Sequence, residues 1–177
     1  MSDLAKKFVD HLENLKQRNR GAMATLRHSL AFEPGGYPPA YPYVERFVGT
    51  ERHARDPWRL ALYVVAGLYA RHPLQRGQSF AASLGELLRK RESSALEQRF
   101  VALLGADAEN LHNYLRQAIS LLAADDVGCD FVGLLDDLRR WLDPFLDPER
   151  RDLVRQRWAR DFYQAATVAI DAEEPAN

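Results

Sequence analysis

The chain has 177 residues, of which 46% are apolar, and a formal net charge of −1. That length accommodates one good core or two small ones, and that apolar content excludes a disordered chain. The near-neutral total conceals a division. Residues 1–105 carry 16 Lys and Arg against 10 Asp and Glu, a net of +6, and residues 106–177 carry 8 against 15, a net of −7. A basic half joined to an acidic half suggests one face for polyanions and another for a different partner.

From the N-terminus, Met1–Lys7 leads into no apolar signal core, so export is not expected. Leu4, Phe8, Leu12 and Leu15 form a helical stripe that Leu26 and Leu30 extend past Gly21. The Pro- and Gly-rich segment Phe32–Pro42 breaks the helix, and a short helix is predicted over Tyr43–Val48. Asp56-Pro57 is a capping residue followed by Pro at the first helical position, and it starts a helix that His72-Pro73 stops after Arg71. This helix contains the longest apolar stretch, Leu60–Ala70, which is too short to span a membrane.

Ser79 opens a helix that buries Phe80, Leu84, Leu87 and Leu88. Ser94-Ala-Leu-Glu97 reads as a capping box for the next, which Gly105 ends. Asp107 is predicted to cap a helix carrying Leu111, Tyr114, Leu115, Ile119 and Leu122, and Asp130 one carrying Leu134, Leu135, Leu138 and Trp141. Asp147-Pro148 repeats the cap-and-proline signal before a long last helix with Val154, Trp158, Phe162 and Ala165. The tail from Asp171 is expected to fray. No segment alternates as a strand does. The expectation is an all-α protein of about eight helices in two small bundles, 1–105 and 106–177, divided where the charge changes sign.

Little in the chain points to catalysis. His11, His28, His53, His72 and His112 include no i,i+4 pair and join no Cys/His cluster, so no metal or other cofactor is expected. The lone Cys129 can form no internal disulfide and has no His near it in sequence, which makes it a structural thiol. Adjacent carboxylates at Asp125-Asp126 and Asp136-Asp137 point about 100° apart on a helix and form no compact clamp. Ion pairing of Asp136 with Arg139 and Arg140 explains that pair more simply.

The cations are more informative. If Lys16–Arg27 is one helix, Lys16, Arg20 and Arg27 fall within about 40° of one another, beside the apolar stripe. Arg89, Lys90, Arg91 and Arg99 form a second cluster, of which one or two face any common ligand. Arg116, Arg139 and Arg140 are secondary candidates, whereas Arg157 has an i,i+4 partner in Asp161 and is set aside with Arg150 and Arg160. Tyr37–Tyr43 is aromatic and Pro-rich, and either offers stacking rings on an extended backbone or packs across helix ends.

An ordered set of motifs then resembles one family. These are Gly21-Ala-x-Ala-x-Leu-Arg27, Ala61-Leu-Tyr-Val-Val-Ala-Gly-Leu-Tyr-Ala-Arg-His-Pro73, Ser83-Leu-Gly-Glu-Leu-Leu-Arg-Lys90, Glu97-x-Arg-Phe-Val-Ala-Leu-Leu104, Asp137-Leu-x-x-Trp141 and Trp158-Ala-Arg-Asp-Phe-Tyr163. They resemble CasB, the small subunit of the type I-E CRISPR complex Cascade. The resemblance implies a non-catalytic helical protein in the cytoplasm, paired head-to-tail with a second copy beside the large subunit and the crRNA-bearing backbone subunits. It implies a basic surface that contacts target DNA and the crRNA backbone without sequence preference and helps hold the displaced strand of the R-loop. By position, Arg20, Arg27, Arg89, Lys90 and Arg99 match that surface best, followed by Arg116, Arg139 and Arg140. The alternative is a purely structural adaptor, in which the same arginines make protein contacts.

Overall fold

In the computed structural model, which describes residues 2–172, the described chain is predominantly helical. Among the described residues it forms nine α-helices: α1 (Ser2–Arg18), α2 (Arg20–His28), α3 (Tyr41–Val44), α4 (Pro57–Arg71), α5 (Phe80–Arg91), α6 (Ser94–Leu104), α7 (Leu111–Ala124), α8 (Phe131–Trp141) and α9 (Pro148–Ala172). The described residues contain no strand, only one isolated bridge between Gln75 and Cys129. No described helix is long and apolar enough to cross a membrane.

The centre of the molecule is α4. Eleven of its residues are buried, from Trp58 to Ala70. A helix that is apolar nearly all round must be wrapped on every side, and α1, α2, α7 and α8 pack around this one. Its start is the predicted one: Pro57 occupies the first turn and the Asp56 carboxylate accepts from the amides of Trp58 at 2.9 Å and Arg59 at 3.4 Å. Leu30 packs so closely on Gly67 that a Cβ there would lie 2.6 Å from its Cδ2.

Contacts cross residue 105 in several places. The pairs α5–α9, α4–α8 and α1–α8 each join the first half to the second, and the buried apolar residues of both halves form one cluster. Phe100 of α6 stacks on Phe162 of α9, with centroids 3.8 Å apart and planes 10° off parallel. The connections 72–79 and 127–130 are tied together: His72 Nε2 lies 2.8 Å from Val127 O, Ser83 Oγ donates to Gly128 O at 2.8 Å, and Arg76 N donates to Cys129 O at 2.9 Å. Cys129 is buried among these contacts, and that burial pushes its thiol far above the usual range.

Four boundaries differ from expectation. Lys16–Arg27 is not one helix: Asn19 leaves helical geometry at φ −144° and its side chain caps the new helix α2 through Ala22 N. Asn competes with the helix for backbone amides, and here it wins. The Pro-rich segment turns earlier than predicted, through a 3₁₀ turn at Pro38–Ala40 into α3, with a second such turn at Glu45–Phe47, so Tyr37–Tyr43 is not extended. Ser93, not Ser94, caps α6 by accepting from Leu96 N. Asp107 closes a turn onto Asn110 N, and α7 begins only at Leu111. At the C-terminus, Asp171 and Ala172 continue α9, and the rest of the tail lies outside the described residues.

Candidate nucleic-acid interface

The sequence-derived cations fall at three places. The first surrounds the C-terminal end of α4. Lys16 Nζ donates to Pro73 O at 2.8 Å, and Arg27 Nε to Ala70 O at 3.2 Å. The break at Asn19 therefore does not scatter Lys16 and Arg27; both reach the same helix end from different helices. Arg20 lies seven residues before Arg27, on the same face of α2, about 10 Å along its axis. Arg116 of α7 donates to Leu30 O at 3.3 Å, and Leu30 packs on Gly67, a turn inside that end. All four are exposed. Arg71, also exposed, ends α4 beside Ala70; a terminal Arg ahead of a His-Pro stop was its signal in the sequence.

The charge balance at this patch is decisive. Lys16, Arg27 and Arg116 use carbonyls, not carboxylates, as partners. The end of a helix carries the equivalent of roughly half a negative charge. Glu13, which accepts from the Tyr69 hydroxyl in the last turn of α4, adds one negative charge; Lys16, Arg27 and Arg71 together outweigh both, so the patch stays positive. Arg20 makes no ion pair or hydrogen bond among the described residues.

The second place, around α5 and α6, is different. Lys90 pairs with Glu86 at 3.0 Å, and Arg76 approaches the same carboxylate at 3.4 Å. Burial pushes the Glu86 carboxyl up, but its cationic neighbours outweigh that and hold it below the ordinary value. Arg91 makes a two-pronged bond to Asp125, at 2.6 and 2.9 Å, which depresses that carboxyl. Arg89, half-buried, donates to Ala165 O of α9 at 3.4 Å. Within this cluster one carboxylate, Glu86, serves both Lys90 and Arg76, Arg89 rests on a carbonyl of α9, and Arg99, exposed beside Tyr114 and Gln117, has no acidic partner among the described residues.

The third place is the corner between α8 and α9. Arg139 and Arg140 line a groove of about 470 Å³ together with Arg150 and Arg157. Arg157 does not pair with Asp161, as its spacing predicts. It bonds Asp137, whose second oxygen accepts from Trp158 Nε1 at 2.7 Å, while Asp161 accepts from Ser79 Oγ at 2.8 Å. Asp136 makes no ion pair with Arg139 or Arg140 within 4.0 Å among the described residues. Its Oδ1 is buried without a partner among the described residues, and burial pushes its carboxyl up. A cleft of about 1250 Å³ opens on the other side of Arg139, where the loop before α4 contributes Arg52 and Arg55 and α4 itself contributes Arg59. Of these, Arg52 pairs with Asp56 and Arg59 with Glu45.

Both carboxylate pairs are engaged in packing or pairing at one member, Asp125 with Arg91 and Asp137 with α9. Among the described residues no group of three or more His, Cys, Asp and Glu is placed to hold a metal ion.

These features define a small all-α protein that carries cations on its surface in separate clusters. The family model of CRISPR-associated protein Cse2 matches residues 22–163, and the chain belongs to that family, the one whose solved members are called CasB. Lys16 and Arg20 precede the matched span; the other candidate cations lie inside it. The chain is 42% identical over 168 residues to CRISPR-associated protein Cse2 of Thermus thermophilus, covering 90% of each. It is similar to M. ruber CasB at 29% identity and a TM-score of 0.78, covering 96% of this chain and 98% of that one. It also shares its fold with a chain of a CRISPR RNA-guided surveillance complex, at 22% identity and a TM-score of 0.80, over 97% and 99% of the two chains.

Proposed function

We propose that this chain is the non-catalytic small subunit of a type I-E Cascade complex, acting in the cytoplasm, and that it binds nucleic acid without sequence preference to stabilise the opened target. The observation that carries this reading is the positive patch around the end of α4, where Lys16 and Arg27 rest on carbonyls, Arg116 reaches Leu30 O nearby, and Arg20 and Arg71 have no carboxylate partner among the described residues. A cation held by a carbonyl keeps its charge for a phosphate; one held by a carboxylate does not. R-loop formation is a near-balanced exchange of duplexes, so a few backbone contacts to the displaced strand tip it. Contacts of that kind need no base readout.

In this reading the large subunit, the crRNA-bearing backbone subunits and a second head-to-tail copy are the protein partners, and target DNA and the crRNA backbone are the nucleic-acid partners. Arg20 and Arg99 give the cleanest test, because they are exposed and unpaired among the described residues. The folded double variant Arg20→Ala/Arg99→Ala should bind unrelated single strands more weakly by about equal factors. The slope of log K against log salt should fall by roughly 0.7 for each contact removed. An unchanged slope removes these residues from the interface. Salt-independent or undetectable binding by the unmodified chain favours the adaptor reading.

A further inference from the structure

Glu13 is the only acid between Asp10 and Glu33, a stretch that carries Lys16, Arg18, Arg20 and Arg27. It stands three residues before Lys16 on α1, so the two lie on one face of the helix. The same spacing in the same order makes an ion pair elsewhere in the chain, where Asp152 and Arg155 of α9 meet at 2.8 Å. Glu13 and Lys16 make no ion pair among the described residues. Each turns to α4 instead. The half-buried Glu13 carboxylate accepts from the Tyr69 hydroxyl, and the exposed Lys16 Nζ donates to Pro73 O, just past the helix end, at 2.8 Å.

The hydroxyl is a fixed anchor. Tyr69 is fully buried, and its ring meets Phe131 of α8 edge-on, with centroids 5.2 Å apart. A ring locked in the core holds its hydroxyl in one place. Burial pushes that hydroxyl far above its ordinary range, and the Glu13 carboxylate adds to the shift, so the hydroxyl keeps its proton and stays the donor. A neutral donor restrains the acid without cancelling any cation. The only Lys or Arg within four residues of Glu13 is Lys16, whose present partner is a carbonyl. A released Glu13 would therefore turn to Lys16. An exposed ion pair of this kind is weak, but it competes with a phosphate for the same ammonium donors.

We propose that Tyr69 is a positioning residue for the basic patch: its hydroxyl holds the one acid of the α1–α2 stretch against α4 and so leaves Lys16 free to meet a phosphate. The proposal rests on the nucleic-acid reading above and adds to it a buried residue that prepares the surface without touching the strand.

The test is binding of oligo(dT) at low salt to the full chain and to folded variants in a double-mutant cycle. Tyr69→Phe keeps the ring and removes the hydroxyl, and should weaken binding about two-fold. Glu13→Gln should gain more affinity in the Tyr69→Phe background than in the unmodified chain, because only there does the acid occupy Lys16. In the Lys16→Ala background Tyr69→Phe should change nothing further. Glu13→Asp withdraws the carboxylate from the hydroxyl by one methylene and keeps it three residues before Lys16. It should reproduce the loss, and it replaces Tyr69→Phe in the cycle if that variant does not fold. A loss that persists in the Lys16→Ala background, or an equal gain from Glu13→Gln in both backgrounds, makes Tyr69 a structural residue only and overturns the proposal. Unchanged affinity of folded Tyr69→Phe also overturns it and leaves the wider reading standing. Failure of the unmodified chain to bind any single strand overturns both.

Discussion

Asp136 and Asp137 are neighbours with opposite fates. Asp137 has its charge satisfied by Arg157 and Trp158. Asp136 has a buried oxygen with no partner among the described residues, and its carboxyl is pushed up chiefly by burial, against the pull of Arg139 and Arg140. The folded state therefore holds this proton more firmly than the unfolded chain, where Asp titrates near about 3.9. The cost of the buried charge is absent below that pH, grows as pH rises through the folded value, and is fully present at neutrality. Asp136→Asn is expected to raise the melting temperature at pH 7, with a gain that shrinks to nothing below about pH 4. A gain that persists unchanged in acid contradicts the assignment. At this scale the sequence disclosed residue types and local spacing but not partners. The i,i+4 rule pointed Arg157 to Asp161, while the fold offered Asp137 and gave Asp161 to Ser79. Competition between local and distant partners is decided by packing that spacing cannot reveal.

The helices themselves were largely legible, because caps and prolines act locally. Asp56, Ser79 and Asp130 each cap the helix predicted for them. The miss at Asn19 followed from letting one apolar stripe run through a residue that prefers a cap. What no periodicity shows is how closely helices approach. At Gly85 a Cβ would lie 2.1 Å from Phe162 O and 2.9 Å from Phe162 C, both backbone atoms that have little room to yield. Gly85→Ala should therefore force α5 and α9 apart and destabilise the protein by about 1–3 kcal/mol. Chemical denaturation checks this; a midpoint equal to that of the unmodified chain would show that the contact is looser than described. The same approach brings Arg89 to Ala165 O, a contact between helices that spacing in sequence does not reveal.

For the whole molecule, charge and packing divide the chain differently. The net charge changes sign near residue 105, yet α5–α9, α4–α8 and α1–α8 all pack across that point. We propose that the division is one of charge and that the halves unfold together. Thermal unfolding followed by near- and far-UV circular dichroism should give one coincident transition; two separated transitions would establish independent bundles. Charge is not uniform within the second half either. Its arginines gather at the α8–α9 corner, and Asp136 and Asp137 face inward. A head-to-tail partner would therefore have to use other acids of that half. Sequence sums could signal an interface of opposite charges, but only the fold shows which charges remain unpaired.

The central claim is that this chain holds the displaced strand of an opened target. Digestion of that strand by a single-strand-specific nuclease, in the assembled complex bound to its target, tests it most directly. With the unmodified subunit the strand should be protected. Omitting the subunit, or substituting Arg20→Ala/Arg99→Ala, should expose it while guide RNA binding by the remaining subunits persists. Equal cleavage of the displaced strand with and without the subunit would contradict the account.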